Sequence, residues 1–191
     1  MPRIKVELVI LILIAGLMYA ALHLFNEWAF YFASVTGHIN WIYLPAFLRL
    51  ANVIVLGYYC GSIATGLGAV FLYMIYPSTV PTLILNILAG ILSPLLAFWV
   101  FKILKNREVS ITYLKDLMML AVIYALMNSL THHLAWICVE PDQLFSFNQV
   151  PIMFIGDLVG AFVGALVFNL VVSDSALVKY IKNRAKEREQ K

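Results

Sequence analysis

The stretch Asn26-Glu27-Trp28-Ala29-Phe30-Tyr31-Phe32-Ala33-Ser34-Val35-Thr36-Gly37-His38-Ile39-Asn40-Trp41-Ile42-Tyr43 decides the fold. It is rich in aromatic rings, but Thr36-Gly37-His38-Ile39-Asn40 interrupts it. If it crosses a membrane, every later loop changes sides. If it lies at the surface, its rings belong at headgroup level. The apolar run before it, Val6–Phe25, follows Arg3 and Lys5. That run is long for a signal-peptide core and no small-x-small cleavage site follows it, so it reads as a retained helix.

Composition explains why a membrane is invoked at all. Of 191 residues, 63% are hydrophobic and 12% charged. An ordinary soluble domain is about 45–50% apolar and about 25% charged. Six segments are long and apolar enough to span, near 6–25, 44–60, 62–77, 81–101, 116–138 and 151–172. Gly61 and the Pro77–Pro81 pair break the chain between the second, third and fourth.

Loop charges then choose the orientation. Arg3 and Lys5 place the N-terminus inside. The loop after the fourth span carries Lys102, Lys105, Arg107 and Lys115, also inside. The loop after the fifth carries Glu140 and Asp142 without Lys or Arg, which suits the outside. The tail carries Lys179, Lys182, Arg184, Lys186 and Arg188, inside again. A seventh span over 26–43 would break this agreement, so the segment reads as interfacial or re-entrant at the outer face. The expected architecture is an all-α polytopic bundle of about six transmembrane helices, with both ends cytoplasmic. Residues 1–172 form one transmembrane domain, and 173–191 a basic cytoplasmic tail that Ser173 or Asp174 caps. A bacterial inner membrane is the expected location. The lysines and arginines are explained as cytoplasmic flanks, and no nucleic-acid partner is expected.

Polar groups within the spans concentrate at one depth. By a rise of about 1.5 Å per residue, Arg49, Asp157, His132, His133 and Asn86 all lie about 7–9 Å below the outer ends of their spans. Ionisable groups are costly there, so each is a candidate functional residue. Arg49 with Asn52, and Asn128 with His132, share helix faces by spacing. His38 and Asn40 would close the site from above, and His23 and Glu27 would reach its rim. Arg49 and Asp157 read either as a buried ion pair that fixes helix register or as an anion-binding arginine oriented by the carboxylate. His132 and His133 read most simply as hydrogen-bonded interface histidines. Their adjacent positions point about 100° apart, which disfavours one shared metal. No metal or cofactor is expected. Gly156, Gly160 and Gly164, at four-residue spacing, make a smooth helix face for close packing. Cys60 and Cys138 fall at opposite membrane faces and are read as unpaired thiols. No nucleotide-binding glycine loop, HExxH or GxSxG appears, so no enzyme is expected.

The run Trp41-Ile42-Tyr43-Leu44-Pro45-Ala46-Phe47-Leu48-Arg49-Leu50-Ala51 resembles the opening of the first class of membrane-associated sensor (MASE) domains. The glycine-bearing stretch Gly57–Gly68 and the segment Gly156-Asp157-Leu158-Val159-Gly160 are similar too, so the resemblance covers roughly residues 38–172. It implies that Trp41, Pro45, Arg49, Gly156 and Asp157 are the family-like positions, and that the fold is a bacterial sensory module. Phe47 stands where the family tends to have glycine. Family members usually carry a cytoplasmic output domain, and none follows here, so a stand-alone module acting through a partner protein is expected. Two functions follow as expectations. One is a sensory or regulatory module binding a small ligand in its outer polar site. The other is a substrate-binding transport subunit, which needs an energising partner. A structural membrane protein without a ligand is the third.

Overall fold

The computed structural model describes residues 6–36, 39–76, 78–139 and 149–174. Five long helices dominate: α1 (Val6–Ala29), α2 (Ala46–Ile75), α3 (Val80–Lys105), α4 (Leu114–Val139) and α5 (Gln149–Asp174). Between α1 and α2 lie a short 3-10 turn (Tyr31–Ala33) and a two-stranded antiparallel hairpin, β1 (Ser34–Thr36) and β2 (Ile39–Asn40). All five helices are long and apolar enough to cross a membrane. Their outward faces are bare and apolar, with Leu17, Met18, Val55, Leu92, Leu134 and Leu170 all exposed. Apolar surface of this extent needs lipid as its solvent, so the chain is a multi-pass membrane protein. Arg3, Lys5, His38, Glu140, Asp142 and the basic tail lie outside the described residues.

Six spans were expected, and the second and third both fall within the single 30-residue α2. That helix is not straight. Gly57 has φ 79° and ψ 171°, a conformation essentially closed to other residues. The chain folds back there. Asn52 Nδ2 donates to Thr65 Oγ1 at 3.3 Å. Thirteen residues of straight helix would hold those positions about 20 Å apart. The α2 element is therefore a helical hairpin, with a first arm before Gly57 and a longer second arm after it. Gly61, the expected break, has another job. A Cβ there would strike the Asn52 carbonyl and Val53 Cα of the first arm, so its bare backbone lets the arms meet. The turn comes four residues earlier than the sequence suggested, because positive φ, rather than a break in apolarity, sets it.

Among the described residues of 30–45 there is no helix of membrane length. Several of their backbone polar groups pair locally, as non-helical chain in an apolar setting requires. Trp41 N donates to the Ala33 carbonyl at 2.9 Å, and Ser34 pairs with Asn40. Asn26, fully buried near the end of α1, pins the return strand from both sides of its amide. Its Nδ2 donates to the Ile42 carbonyl at 3.1 Å, and its Oδ1 accepts from Leu44 N at 2.9 Å.

The glycine face of α5 receives this segment. A Cβ at Gly156 would collide with the Asn40 carbonyl, at Gly160 with the Tyr43 carbonyl, and at Gly164 with the Phe47 ring. Tyr43 N donates to the Gly156 carbonyl at 3.1 Å. The smooth face thus accepts extended backbone along two of its three steps, and the start of α2 at the third.

Two ends of the bundle follow from these contacts. The upper end holds β1, β2, the last turns of α1 and the first of α3. The lower end holds the Gly57 turn and the α3–α4 connection. At the lower end Arg107 grips Asp116 through both carboxylate oxygens, at 2.5 and 2.8 Å, and Lys102 pairs with Glu108 at 2.6 Å. Above them Leu50, Val53, Phe98, Phe101, Leu120 and Tyr124 pack into a continuous core.

Candidate ligand site

Above that core, at the upper end, the helices part around a cavity of about 340 Å³. Every long helix contributes to its wall. From α1 come Tyr19, His23 and Glu27, and from the return strand Asn40 and Tyr43. The first arm of α2 supplies Arg49, and the second supplies Leu72, Tyr73 and, just past its end, Tyr76. Asn86 on α3, His132 and Trp136 on α4, and Met153 and Asp157 on α5 also line it. This volume falls in the range of small-molecule sites, about 300–1,000 Å³.

A chain of hydrogen bonds runs through the wall. Arg49, 7% exposed, directs Nε and Nη2 at the Tyr19 hydroxyl, at 3.0 and 2.6 Å. Its Nη1 donates to Asn128 Oδ1 at 2.7 Å and to the Tyr124 hydroxyl at 3.5 Å. Asn128 then donates through Nδ2 to Asp157 Oδ2 at 2.6 Å. On the other side the Tyr19 hydroxyl meets that of Tyr43 at 3.1 Å, which meets His23 Nδ1 at 3.0 Å. The guanidinium also lies 5.3 Å from the Tyr19 ring centroid and 5.8 Å from that of Tyr43. Gly90 of α3 faces it at van der Waals distance, since a Cβ there would lie 3.7 Å from Cζ.

Arg49 and Asp157 do not form the direct ion pair that was one reading of their depth. A neutral amide stands between them. This spreads the charge over a relay of short bonds from α2 to α4 to α5, and charge-assisted bonds of this kind are the strong ones. The anion-binding alternative loses ground for a related reason. A bidentate carboxylate needs two parallel N–H groups. Tyr19 takes the Nε side of the fork, and Asn128 and Tyr124 take Nη1.

Of the other expected site residues, Asn86, Asn40 and His132 line the cavity. Asn86 Oδ1 accepts from the Trp136 indole N–H at 2.8 Å, and Asn40 Nδ2 donates to Glu27 Oε1 at 2.8 Å. The His132 ring packs edge-on to Trp136, and its Nδ1 lies 3.1 Å from the Asn128 carbonyl. Asn128 is buried behind the wall and acts through its two neighbours. Asn52 is turned away into the α2 hairpin and does not line the cavity. His38 lies outside the described residues.

The sequence reading passed over the aromatic half of the site. Tyr19, Tyr43, Tyr73, Tyr76 and Trp136 sit in apolar runs where a ring is ordinary. For Tyr19 a signal existed, because it lies four residues before His23, itself four before Glu27, and so on one face of α1.

No protein-family model, curated protein or solved structure matches this chain. Its function is therefore argued from the cavity and from the residues that line it.

Proposed function

We propose that the protein is a sensory or regulatory module of the bacterial cytoplasmic membrane. It binds a small molecule from the outer side and acts through a cytoplasmic partner. The observation that carries this reading is the cavity of about 340 Å³, lined by charged, amide and aromatic side chains and lying above the packed core of Leu50, Phe98, Phe101 and Leu120. A channel or self-sufficient carrier needs polar lining at both depths, and a binding module does not.

Orientation supports the outward-facing site. Lys102, Lys105 and Arg107 lie at the lower end, and the positive-inside rule makes that end cytoplasmic. With each arm of α2 counted as a crossing, the chain traverses the membrane six times and both ends are inside. The resemblance to MASE domains over residues 38–172 points to sensing. The hydrogen-bonded relay offers a route for it. A ligand that borrows Asp157 or Arg49 shifts the balance of contacts among α2, α4 and α5, and only such differential binding drives a conformational change.

The test is native mass spectrometry of gently purified protein. A retained small molecule is expected, and its occupancy should fall in His132→Gln, which alters the wall without breaking the relay. Protein that emerges empty from every preparation, with partner activity indifferent to the cavity variants, sinks the reading. Retention of a labelled solute by intact cells would instead make the chain the binding subunit of a transporter.

A further inference from the structure

The cavity wall is unbalanced in its hydrogen-bonding groups and in its charge. Arg49 is its one arginine among the described residues, and that charge is already covered. Four contacts to three oxygens occupy four of its five N–H groups, and two tyrosine rings flank it. The two carboxylates are not covered to the same degree. Asp157, 1% exposed, engages Oδ2 with Asn128, and among the described residues Oδ1 has no hydrogen-bond donor. Glu27 uses Oε1 for Asn40. Asn40 in turn is 6% exposed, and among the described residues its own Oδ1 is a buried acceptor with no partner. A buried acceptor without a donor is costly, and the usual remedy is a ligand or water that supplies one.

The rest of the wall is aromatic. Tyr43, Tyr73, Tyr76 and Trp136 line the same space. Ring faces attract cations, most strongly where water is excluded. Counting Arg49 against Asp157 and Glu27, the wall carries one formal negative charge with the histidines neutral.

From these features we propose that the cavity takes a small organic cation, with its charge between Asp157 and Glu27 and its body against the tyrosine and tryptophan rings. The inference rests on the cavity being a ligand site at all. An anion would meet two carboxylates and an arginine whose fork is in use. A cation supplies the N–H or polarised C–H donors that the acceptors lack, and buried charges are tolerated when paired in this way.

The test uses the full chain in detergent. Two cations, choline and benzylammonium, are titrated beside their uncharged counterparts, dimethylbutanol and benzyl alcohol, and beside benzoate. Melting temperature and bound radiolabel are read for each. At least one cation should raise the melting temperature saturably, with its uncharged counterpart weaker by roughly tenfold or more. Glu27→Gln and Asp157→Asn should each weaken cation binding by a similar factor. Because Asp157→Asn disturbs the relay and can fail to fold, Glu27→Gln, which keeps its acceptor for Asn40, decides if it does. Benzoate binding in preference, or equal binding of cation and uncharged counterpart, overturns the cation assignment and leaves the ligand site standing. Binding by none of the probes also overturns it. In that case a neutral or anionic compound found in the native mass spectrum would keep the site, and an empty protein would remove both.

Discussion

A guanidinium and a carboxylate buried in an apolar bundle are each unfavourable alone. Asn128 accepts from Arg49 at 2.7 Å and donates to Asp157 at 2.6 Å, so its amide serves both charges. Asn128→Leu removes the two bonds and strands both groups. Hydrogen bonds to charged partners contribute about 1.5–3 kcal/mol each, and the variant should lose about 3–6 kcal/mol in all. Unfolding in a detergent titration measures this. The coupling can be tested separately. In Arg49→Met or Asp157→Leu alone, one buried charge survives without its counterweight. The double variant Arg49→Met/Asp157→Leu should be more stable than the less stable single variant, because removal of both charges ends the penalty. Simple additivity of the two losses would rule out the relay. The charged and amide members of this network were legible in the sequence, since Arg, Asp and Asn stand out within apolar spans and their depth follows from the helical rise. The tyrosines were not. A hydroxyl on a ring costs little in a hydropathy pattern, and the Tyr19–Tyr43 contact joins residues separated by 24 positions.

Helix breaks obey a different logic. The apolar run from Ala46 to Ile75 contains Gly57, Gly61, Gly66 and Gly68, and composition does not distinguish the glycine that turns the chain from the ones that let it pack. Only backbone geometry separates them. Gly57 has positive φ and open space where a Cβ would stand, whereas Gly61 has the Asn52 carbonyl against it. Gly57→Ala should therefore cost about 1–3 kcal/mol through the backbone alone. Gly61→Ala should cost more through collision with the opposite arm, and Gly160→Ala likewise against the Tyr43 carbonyl. The hairpin itself has a sharper test. With Cys60 and Cys138 replaced by Ser, the pair Asn52→Cys/Thr65→Cys should form a disulfide on mild oxidation, because the native side chains touch at 3.3 Å. A continuous helix would hold these cysteines about 20 Å apart and yield no bond. The start of α3 was readable from the Pro77–Pro81 pair, but its end, expected near 101, falls at Lys105. Thr79 caps α3 by accepting from Thr82 N at 3.4 Å, and Asn106 closes it in the left-handed conformation at φ 51°. The reading of 26–43 as an interfacial or re-entrant segment came from the polar interruption at 36–40 and from charge parity; α1 runs on into it as far as Ala29, and a 3-10 turn and two short strands follow. Its docking on the α5 glycines was not readable, because nothing local to either segment names the other.

Over the whole molecule, the α2 hairpin determines which side of the membrane each loop occupies. Five helices cross five times if α2 counts once, and the two chain ends then lie on opposite sides. If its two arms count separately there are six crossings, and the ends lie together. The contacts favour the second arrangement. Tyr43, before the first arm, meets His23 near the top of α1, and Tyr76, after the second arm, lines the same cavity. The Gly57 turn between them reaches the other end, where Tyr58 packs on Phe98 at 5.8 Å. The chain thus leaves the upper end and returns to it within one helical element. Fluorescent and enzymatic topology reporters at the N-terminus, in the Asn106–Glu108 turn and at the C-terminus should all report the cytoplasm, while a reporter at Ser78 should report the outside. Opposite sides for the two chain ends would mean five crossings. The cavity would then no longer share one side with both Tyr43 and Tyr76, and the outward-facing ligand site would fall with it. The first arm, about 11 residues and so about 17 Å long, is short for a bilayer core of about 30 Å. In the six-crossing reading proposed above, residues 41–45, which turn into α2 through the Ala46 N bond to the Tyr43 carbonyl at 3.2 Å, carry the chain part of the way while packed on the glycine face of α5.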